Sequence, residues 1–192
     1  MLSIRDIFEN GRTCNKFSSK DVSSQTLKDI YELVKFSPTS ANSSPLRIIF
    51  IKEGENKKKL MQCLMEGNVE KTSSAPVVTI FAWDEKFYDK MDYLFPVSTS
   101  LADFFKRNQQ AATESAFRNS TLQASCFMMV ARSFGLDCGP MSGFDSKKLD
   151  EVFFAGTNFK SNFICNIGYK HESEPAFSRL PRLSFDDACK II

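Results

Sequence analysis

Five groups of polar residues along the chain have the types and spacing needed to bind a flat ligand that carries an anion. Guanidinium groups near both chain ends suit a phosphate, whereas side-chain amides and the backbone of a glycine loop suit the polar edge of a heterocycle. In chain order the groups are Arg12 and Thr13; Pro38, Thr39, Ser40 and Asn42; Asn68 and Lys71; Gly139, Pro140, Met141, Ser142 and Gly143; and Arg179 and Arg182.

The sequence lacks the residue patterns that several other kinds of functional site require. The segment Gly139–Gly143 resembles a nucleophile elbow, but its serine is one place out of register for G-x-S-x-G, and His171 is the only histidine. No G-x-G-x-x-G follows a predicted strand, and there is no P-loop. The six cysteines form no C-x-x-C pair and, with one histidine, make no zinc pattern. We therefore expect neither a hydrolase, nor a Rossmann nucleotide site, nor a metal.

Composition places the chain among ordinary globular proteins. Its 192 residues suit one domain spanning 1–192, with 42% hydrophobic and 25% charged residues. A net charge of +2 for the whole chain does not indicate a basic surface that binds nucleic acids. No apolar run is long enough to span a membrane, and residues 1–6 are charged almost at once, unlike a secretory signal. A cytoplasmic protein with reduced thiols is expected.

The spacing of apolar residues predicts the elements that must position these groups. Helices are expected at 3–10, 24–36, 56–65 and 146–154, with a short one from Ser184; strands are expected at 46–52, 77–83 and 161–169. Residues 84–107 are helical in pattern but broken at Phe95-Pro96. That aromatic-rich segment is either packed core or a mobile lid over a pocket.

The longest predicted element begins at Ala111 and ends at Gly135. It is apolar on nearly all sides, so we expect it to be buried, followed by an extended piece at 136–138 and a loop at 139–143. Asn119 and Gln123 within it need polar partners, either near a ligand or across a subunit interface. A small-residue edge would let another backbone come close, within one chain or between two, and consists of Ala112, Ala116, Ser120 and Ala124.

In this order, the polar groups resemble the FMN-dependent nitroreductase family. The turn Gly11-Arg12-Thr13 is similar to the family's basic, hydroxyl-containing opening motif. The segment 37–42, followed by Pro45-Leu46-Arg47, is similar to its second motif, and Asn68-Val69-Glu70-Lys71 to its Asn-x-x-Lys. Residues 135–143 resemble the segment that backs the isoalloxazine.

Three further segments of the sequence resemble one branch of that family more closely. Residues 117–120, 139–145 and 153–157 are similar to the branch that contains malonic semialdehyde reductase of pyrimidine degradation. The segment 179–182 resembles the family's C-terminal basic element, through either Arg179 or Arg182. Where many members carry a second phosphate arginine, this chain has Asn15. The phosphate would therefore depend more on Arg12 and the C-terminal arginines.

The resemblance implies an α+β fold with a central, mostly antiparallel or mixed sheet, flanking helices and a long buried helix. It also implies an intertwined homodimer with FMN at each of two subunit interfaces, where loop 38–42 comes from the partner subunit. The implied cofactor-binding residues are Arg12, Thr13, Asn15, Pro38, Thr39, Ser40, Asn42, Asn68, Lys71, Gly139, Pro140, Met141, Ser142, Gly143, Arg179 and Arg182.

The implied activity is transfer of hydride from NADH or NADPH through FMN to a small organic acceptor by a ping-pong mechanism. The flavin would supply the chemistry, and Lys71 is the candidate for electrostatic stabilisation of its reduced, anionic form. The branch implies reduction of malonic semialdehyde to 3-hydroxypropionate. The alternatives are a broad nitroaromatic or quinone reductase, an FMN-binding protein without efficient turnover, and a plain structural domain.

Overall fold

The computed structural model describes residues 2–174 and 178–192, and within them it forms nine helices and four strands. In chain order they are α1 (Ile4–Glu9), α2 (Ser24–Val34), β1 (Leu46–Ile51), α3 (Glu55–Met61), α4 (Glu66–Ser73), β2 (Val77–Asp84), α5 (Met91–Leu94), α6 (Thr99–Arg107), α7 (Gln109–Ser133), β3 (Asp137–Met141), α8 (Ser146–Phe153), β4 (Phe159–Gly168) and α9 (Phe185–Ala188). Short 3₁₀ turns lie at Ser40–Asn42 and Phe87–Lys90.

The four strands form one antiparallel sheet in the order β1-β2-β4-β3. Central strand β2 is an almost unbroken apolar run, and Val77, Val78, Ile80 and Phe81 have no exposed surface. Such a run is typical of a strand covered on both faces. The predicted α+β arrangement around a mostly antiparallel sheet is confirmed.

Helix α7 packs on one face of the sheet together with α2. Phe127 of α7 contacts Phe81 of β2 edge-on, with ring centroids 5.2 Å apart, and Ile30 of α2 is fully buried in the same cluster. The prediction of a long helix here is confirmed. The expectation that it is buried on nearly all sides is wrong for one chain, since Phe117 is 48% exposed and Leu122 is 51% exposed.

The small-residue edge of α7 is buried inside the chain. Ala112, Ala116, Ser120 and Ala124 all have 0% exposure, and the first two pack against Phe87 and its neighbours. Their small side chains let the sheet and the preceding segment approach α7 closely. Of the two predicted alternatives, close approach within one chain is therefore the one that the structure supports.

The opposite face of the sheet is covered by α3, α4 and α8, with Leu60 and Leu149 fully buried against Ile164. Helix α3 ends at Met61, four residues before the predicted end. The chain leaves the helix there because Leu64 forms a β-bridge with Phe144. A long-range backbone pairing thus takes residues whose apolar spacing alone predicts helix.

The aromatic segment 84–107 packs against the first half of α7. Phe87, Met91 and Phe105 are buried there, and the rings of Phe87 and Phe105 meet edge-on at 5.0 Å. Of the two alternatives left by the sequence, packed core is the one that the structure supports. No helix of the described residues is both long enough and apolar enough to cross a membrane.

Candidate functional site

Residues 12–15 run alongside the outer edge of β3. Thr13 forms a parallel bridge with Cys138, and the Cys14 amide donates to the Cys138 carbonyl at 3.0 Å. Arg12 and Thr13 are exposed on this added strand-like segment. The sheet therefore ends in a short parallel neighbour that displays a cation and a hydroxyl to solvent.

Gly139 makes this close approach possible. A Cβ built on Gly139 would lie 2.4 Å from the Cys14 carbonyl oxygen, a backbone atom that cannot rotate away. Any side chain at Gly139 would push residues 12–14 off the edge of β3. The glycine thus fixes where the opening basic turn lies.

Asn15 is bonded to Glu174 rather than to any of the arginines in this structure. Its backbone amide donates to the Glu174 carboxylate at 3.0 Å, and its side-chain amide lies 3.4 Å from the same oxygen. Glu174 is 9% exposed. Asn15 therefore ties the turn after β4 to the opening segment in this structure.

Three arginines of the predicted set meet near the carboxyl end of α1. Arg12 donates to the Glu9 and Gly11 carbonyls at 2.9 Å, and Arg179 donates to the Phe8 and Glu9 carbonyls at 2.7 and 2.6 Å. Desolvation lowers the pKa of Arg179, and the nearby charges of Arg12 and Arg182 lower it further. The chain therefore brings cations from both of its ends to one place.

No carboxylate of the described part of the chain is paired with this arginine cluster. Within residues 2–174 and 178–192, none of Arg12, Arg179 and Arg182 forms an ion pair, and Glu9 pairs with Arg5. Mutually repelling cations are stabilised by a bound anion. The cluster is suited to a phosphate group.

Helix α4 brings Asn68 against the loop that follows β3. The Asn68 side-chain amide donates to the Gly143 carbonyl at 2.7 Å, and the Met65 amide donates to the same oxygen at 3.0 Å. A Cβ on Gly143 would come within 2.4 Å of the Asn68 amide nitrogen. Lys71 lies one turn further along the helix, half-buried, and forms no ion pair with any described residue.

The predicted loop 139–143 is mostly strand. Strand β3 includes Gly139, Pro140 and Met141, so only Ser142 and Gly143 belong to the loop. Pairing with β4 outweighs the weak strand propensity of glycine and proline, and β3 lies at the end of the four-stranded sheet, where proline is tolerated. What the segment offers a ligand is therefore a sheet edge rather than a mobile loop.

Loop 38–44 has an unusual backbone. Ala41, Asn42 and Ser44 have φ values of 50°, 48° and 42°, in the left-handed region that residues other than glycine rarely adopt. Each such residue costs of order 1–3 kcal/mol and persists only where its surroundings enforce it. Strain of this kind is concentrated at ligand sites.

The two buried amides of α7 hold the backbone on either side of these strained residues. Asn119 Oδ1 accepts from the Ser40 amide at 2.8 Å, and Gln123 Oε1 accepts from the Leu46 amide at 3.1 Å. Both amides have backbone partners within the same chain, in this loop for Asn119 and at the start of β1 for Gln123. The predicted pairing of the two amides with each other across an interface is therefore wrong, whereas Asn119 does lie against the predicted ligand loop 38–42.

The loop lies away from the other groups. It leads into β1, where Leu46 pairs with Trp83, at one end of the sheet. Thr13 pairs with Cys138, which pairs with Ile167 at the opposite end and on the far edge. One chain therefore brings four of the five predicted groups to one side of β3 and places the fifth elsewhere.

Three residues outside the predicted set also support the site, namely Arg132, Asn166 and Thr72. Arg132, in the last turn of α7, donates to the Arg12 carbonyl at 3.2 Å. Buried Asn166 of β4 donates to Thr72 of α4 at 3.2 Å, and its Oδ1 has no partner within the described residues. In the sequence, Arg132 could have been found as a basic residue that ends a long predicted helix. Asn166 could have been found as a lone amide in an apolar predicted strand.

Helix α4 is also held at its carboxyl end by a buried cation. The Lys57 ammonium, whose side chain is 6% exposed, donates to the Ser73 and Ala75 carbonyls at 2.8 Å and to Glu53 at 3.0 Å. A cation at a helix carboxyl terminus interacts favourably with the helix dipole. The helix that carries Asn68 and Lys71 is thus fixed at both ends.

The buried thiols are not suited to nucleophilic chemistry. Burial raises the pKa of Cys14 to about 12, so its thiolate fraction at pH 8 is about 10⁻⁴. Among the described residues, no group of three or more histidine, cysteine, aspartate or glutamate side chains is placed to hold a metal.

This gives a prediction about labelling. At pH 8 a thiol reagent should modify exposed Cys189 quickly in the native protein and leave Cys14, Cys63, Cys138 and Cys165, which are buried, unmodified until urea is added. Peptide mass spectrometry after timed labelling measures this. Cys189→Ser is the control that should remove the fast reaction, and fast labelling of Cys14 would contradict the geometry.

A protein-family model described as "Nitroreductase family" matches residues 9–169 of the chain. Among solved structures, a protein of Exiguobacterium sibiricum in complex with FMN has a TM-score of 0.87 at 20% identity, covering 100% of this chain and 98% of that chain. A candidate NAD(P)H:FMN oxidoreductase of Staphylococcus epidermidis has a TM-score of 0.86 at 18% identity, covering 100% and 97%.

A third structure extends the comparison to another named activity. It is an enone reductase of gut-bacterial fatty acid saturation metabolism, with a TM-score of 0.81 at 16% identity, covering 100% of this chain and 99% of that chain. At these identities the three structures establish a shared fold. The fold is common to proteins whose names give different acceptors.

Proposed function

Because this chain belongs to the nitroreductase family, whose model spans residues 9–169, we propose that it is an FMN-dependent oxidoreductase. It takes hydride from NADH or NADPH and passes it to a small organic acceptor by a ping-pong mechanism. The observation that carries this proposal is the arginine cluster beside the edge of β3, for which no described residue supplies a paired carboxylate. The named neighbours that bind or reduce FMN support it.

The residues present fit this cofactor. Arg12 and Arg179, with Arg182 nearby, would hold the phosphate, since a dianion neutralises the mutual repulsion among their guanidinium groups. Gly139 lets the Cys14 carbonyl, and Gly143 lets the Asn68 amide, pack against the segment on which the flat ring would lie. The remaining proposed contacts with the ring and the ribityl chain come from Thr13, Asn68, Pro140, Met141 and Ser142.

A second copy of the chain would complete the site. Loop 38–42, with Pro38, Thr39, Ser40 and Asn42, lies at the opposite end of the sheet from the arginines, so it would serve the partner's cofactor in a homodimer. The half-exposed Phe117 and Leu122 of α7 offer apolar surface for such an assembly. Sedimentation equilibrium that gives the mass of one chain under all conditions would oppose this arrangement.

FMN, when bound, supplies the ring that accepts hydride and releases it. The role of the protein is to bind the flavin, to orient it and to polarise its ring. The half-buried Lys71 ammonium, free of any carboxylate among the described residues, would lower the energy of negative charge at the polar edge of the ring. Asn68, held by the Gly143 carbonyl, fixes the helix that presents this charge.

Lys71→Met is therefore expected to lower the flavin reduction potential. Loss of about 1.4 kcal/mol of stabilisation of the reduced form corresponds to about 30 mV for two electrons. Spectroelectrochemical titration against a reference dye measures the shift. The exposed Lys147→Met on α8 is the matched control. An unchanged potential and turnover in Lys71→Met would remove Lys71 from this role.

Arg12→Ala is expected to weaken FMN binding by about tenfold or more, because a charge-assisted hydrogen bond is worth roughly 1.5–3 kcal/mol. Equilibrium dialysis of the apoprotein against FMN measures the change. Arg5→Ala, on α1 but paired with Glu9 at 3.4 Å and 81% exposed, should change the affinity less than twofold. Equal retention of FMN by both variants would count against Arg12 as a phosphate ligand.

For the acceptor we propose malonic semialdehyde, reduced to 3-hydroxypropionate. The resemblance of residues 117–120, 139–145 and 153–157 to that branch supports this choice. A broad nitroaromatic or quinone reductase is the alternative, which the range of named activities on this fold supports. Values of kcat/KM for malonic semialdehyde, a nitrofuran and a naphthoquinone, measured on one preparation, decide between them.

The function is tested with one visible spectrum. Purified protein should carry a flavin spectrum or gain one on soaking with FMN, bleach on anaerobic addition of NADH or NADPH, and recover on addition of an acceptor. Bleaching without recovery on any acceptor would indicate a passive flavin protein. A protein that stays colourless after soaking would overturn the proposal as a whole.

A further inference from the structure

Arg132 joins the arginine cluster from an unrelated part of the chain. It lies in the last turn of α7, 120 positions after Arg12, and its guanidinium donates to the Arg12 carbonyl at 3.2 Å. Its side chain is half-buried between α7 and the opening turn. A long helix therefore delivers a fourth cation to the place where the chain ends already bring three.

Gly11 makes room for this guanidinium. A Cβ built on Gly11 would lie 2.7 Å from Arg132 Nη1 and 3.0 Å from its Cζ, and also 2.3 Å from the Ile7 carbonyl oxygen. The turn is thus packed between the end of α1 and Arg132. Moving Arg132 would release the backbone that carries Arg12.

The charge of Arg132 also reaches the cluster. It contributes to the lowered pKa of Arg179, after desolvation, Arg12 and Arg182, whereas Glu9 acts in the opposite sense. No carboxylate in residues 2–174 and 178–192 pairs with Arg132. A cation held among other cations, without a counter-ion, raises the local positive potential.

We propose that Arg132 is a positioning residue for Arg12 and a fourth cation of the phosphate site, which makes the site selective for a phosphorylated flavin over a neutral one. The proposal rests on the proposed function, since it assigns Arg132 to the phosphate end of that cofactor. A residue that only caps α7 would support the fold without distinguishing FMN from riboflavin.

The test compares FMN with riboflavin, which has the same ring but no phosphate. Arg132→Gln, which keeps an amide donor and loses the charge, should weaken FMN binding by about tenfold or more and change riboflavin binding less than twofold. The affinity for FMN should also fall less steeply with NaCl than in the wild type, because one charge fewer is screened. Fluorescence quenching titrations of apoprotein measure all three.

Arg132→Lys keeps the charge and an N–H donor, and should bind FMN within about threefold of the wild type because lysine also binds phosphate as a point charge. It is also the variant to interpret if Arg132→Gln does not fold; FMN binding more than tenfold weaker in Arg132→Lys would then overturn the proposal. Equal weakening of FMN and riboflavin in Arg132→Gln would show a purely structural role. Unchanged binding of both would show no role, and each result overturns the proposal.

Inorganic pyrophosphate separates failure of this inference from failure of the proposed function. If wild-type protein does not bind FMN, the proposed function falls, and the cation site is judged by pyrophosphate alone through ³¹P line broadening. Broadening in the wild type that is reduced several-fold in Arg132→Gln supports the site. Equal broadening in both proteins overturns it.

Discussion

Replacing Gly139 with alanine is expected to abolish tight FMN binding while leaving the protein folded. The new Cβ would sit 2.4 Å from the Cys14 carbonyl oxygen, so residues 12–14 must leave the edge of β3. That movement carries Arg12 and Thr13 away from the proposed phosphate and ring. Overpacking of this kind costs typically 1–3 kcal/mol of stability, and we expect affinity for FMN to fall by at least a hundredfold because several contacts are lost together.

Gly67→Ala is the matched control for this change. Gly67 lies in α4, close to Asn68 in the chain, and a Cβ built on it meets nothing within 4 Å. Alanine in a helix is more stable than glycine by roughly 0.5–1 kcal/mol, so this variant should be equally or more stable and bind FMN normally. Urea unfolding and flavin titration of both variants make the comparison. Wild-type affinity in Gly139→Ala would mean that the opening segment is not fixed by this contact.

Asn119→Leu is expected to have the largest effect on stability. Asn119 is 4% exposed, and its Oδ1 is the acceptor for the Ser40 amide at 2.8 Å. Leucine has the same number of side-chain heavy atoms and the same branching but leaves that backbone donor unpaired, which costs about 1–3 kcal/mol. The strained residues Ala41 and Asn42 would also lose the contact that holds their backbone.

The loss should be visible in two measurements. Urea unfolding should give a free energy lower by about 2–3 kcal/mol, and amide hydrogen exchange should accelerate across 38–44 while the sheet stays protected. Gln110→Ala is the control, since Gln110 is an exposed amide on the same helix bonded to exposed Glu114 at 3.0 Å; it should change stability by less than about 0.5 kcal/mol. Slow exchange across 38–44 in Asn119→Leu would contradict the assigned role.

The local sequence determined where most helices and strands lie. The pattern of apolar residues predicted α2, β1, β2 and β4 to within about two residues of the observed bounds, because burial of one helix face requires four-residue spacing and burial of both strand faces requires a continuous apolar run. Helix α8 begins where a local side chain can cap it, since the Asp145 carboxylate accepts from the Lys148 amide at 3.0 Å. These features depend on near neighbours in the chain, so one sequence suffices to read them.

The tertiary structure decided which distant residues meet. The contact of Asn68 with Gly143 spans 75 positions, and that of Arg132 with Arg12 spans 120. Neither contact can be predicted from a periodic pattern in the sequence, because the order of the strands in the sheet determines which residues meet. The end of α3 at Met61 has the same cause, since pairing of Leu64 with Phe144 overrides a helical pattern.

For the candidate site, the sequence determined the chemical types and the structure decided their grouping. Arg12, Asn68, Lys71 and the glycines of 139–143 could be chosen from residue type, order and family resemblance. Only the fold brought both chain ends to the carboxyl end of α1, added Arg132, and placed loop 38–42 at the other end of the sheet. The physical reason is that binding groups are selected locally by their chemistry, whereas their distances are set by packing across the whole sheet.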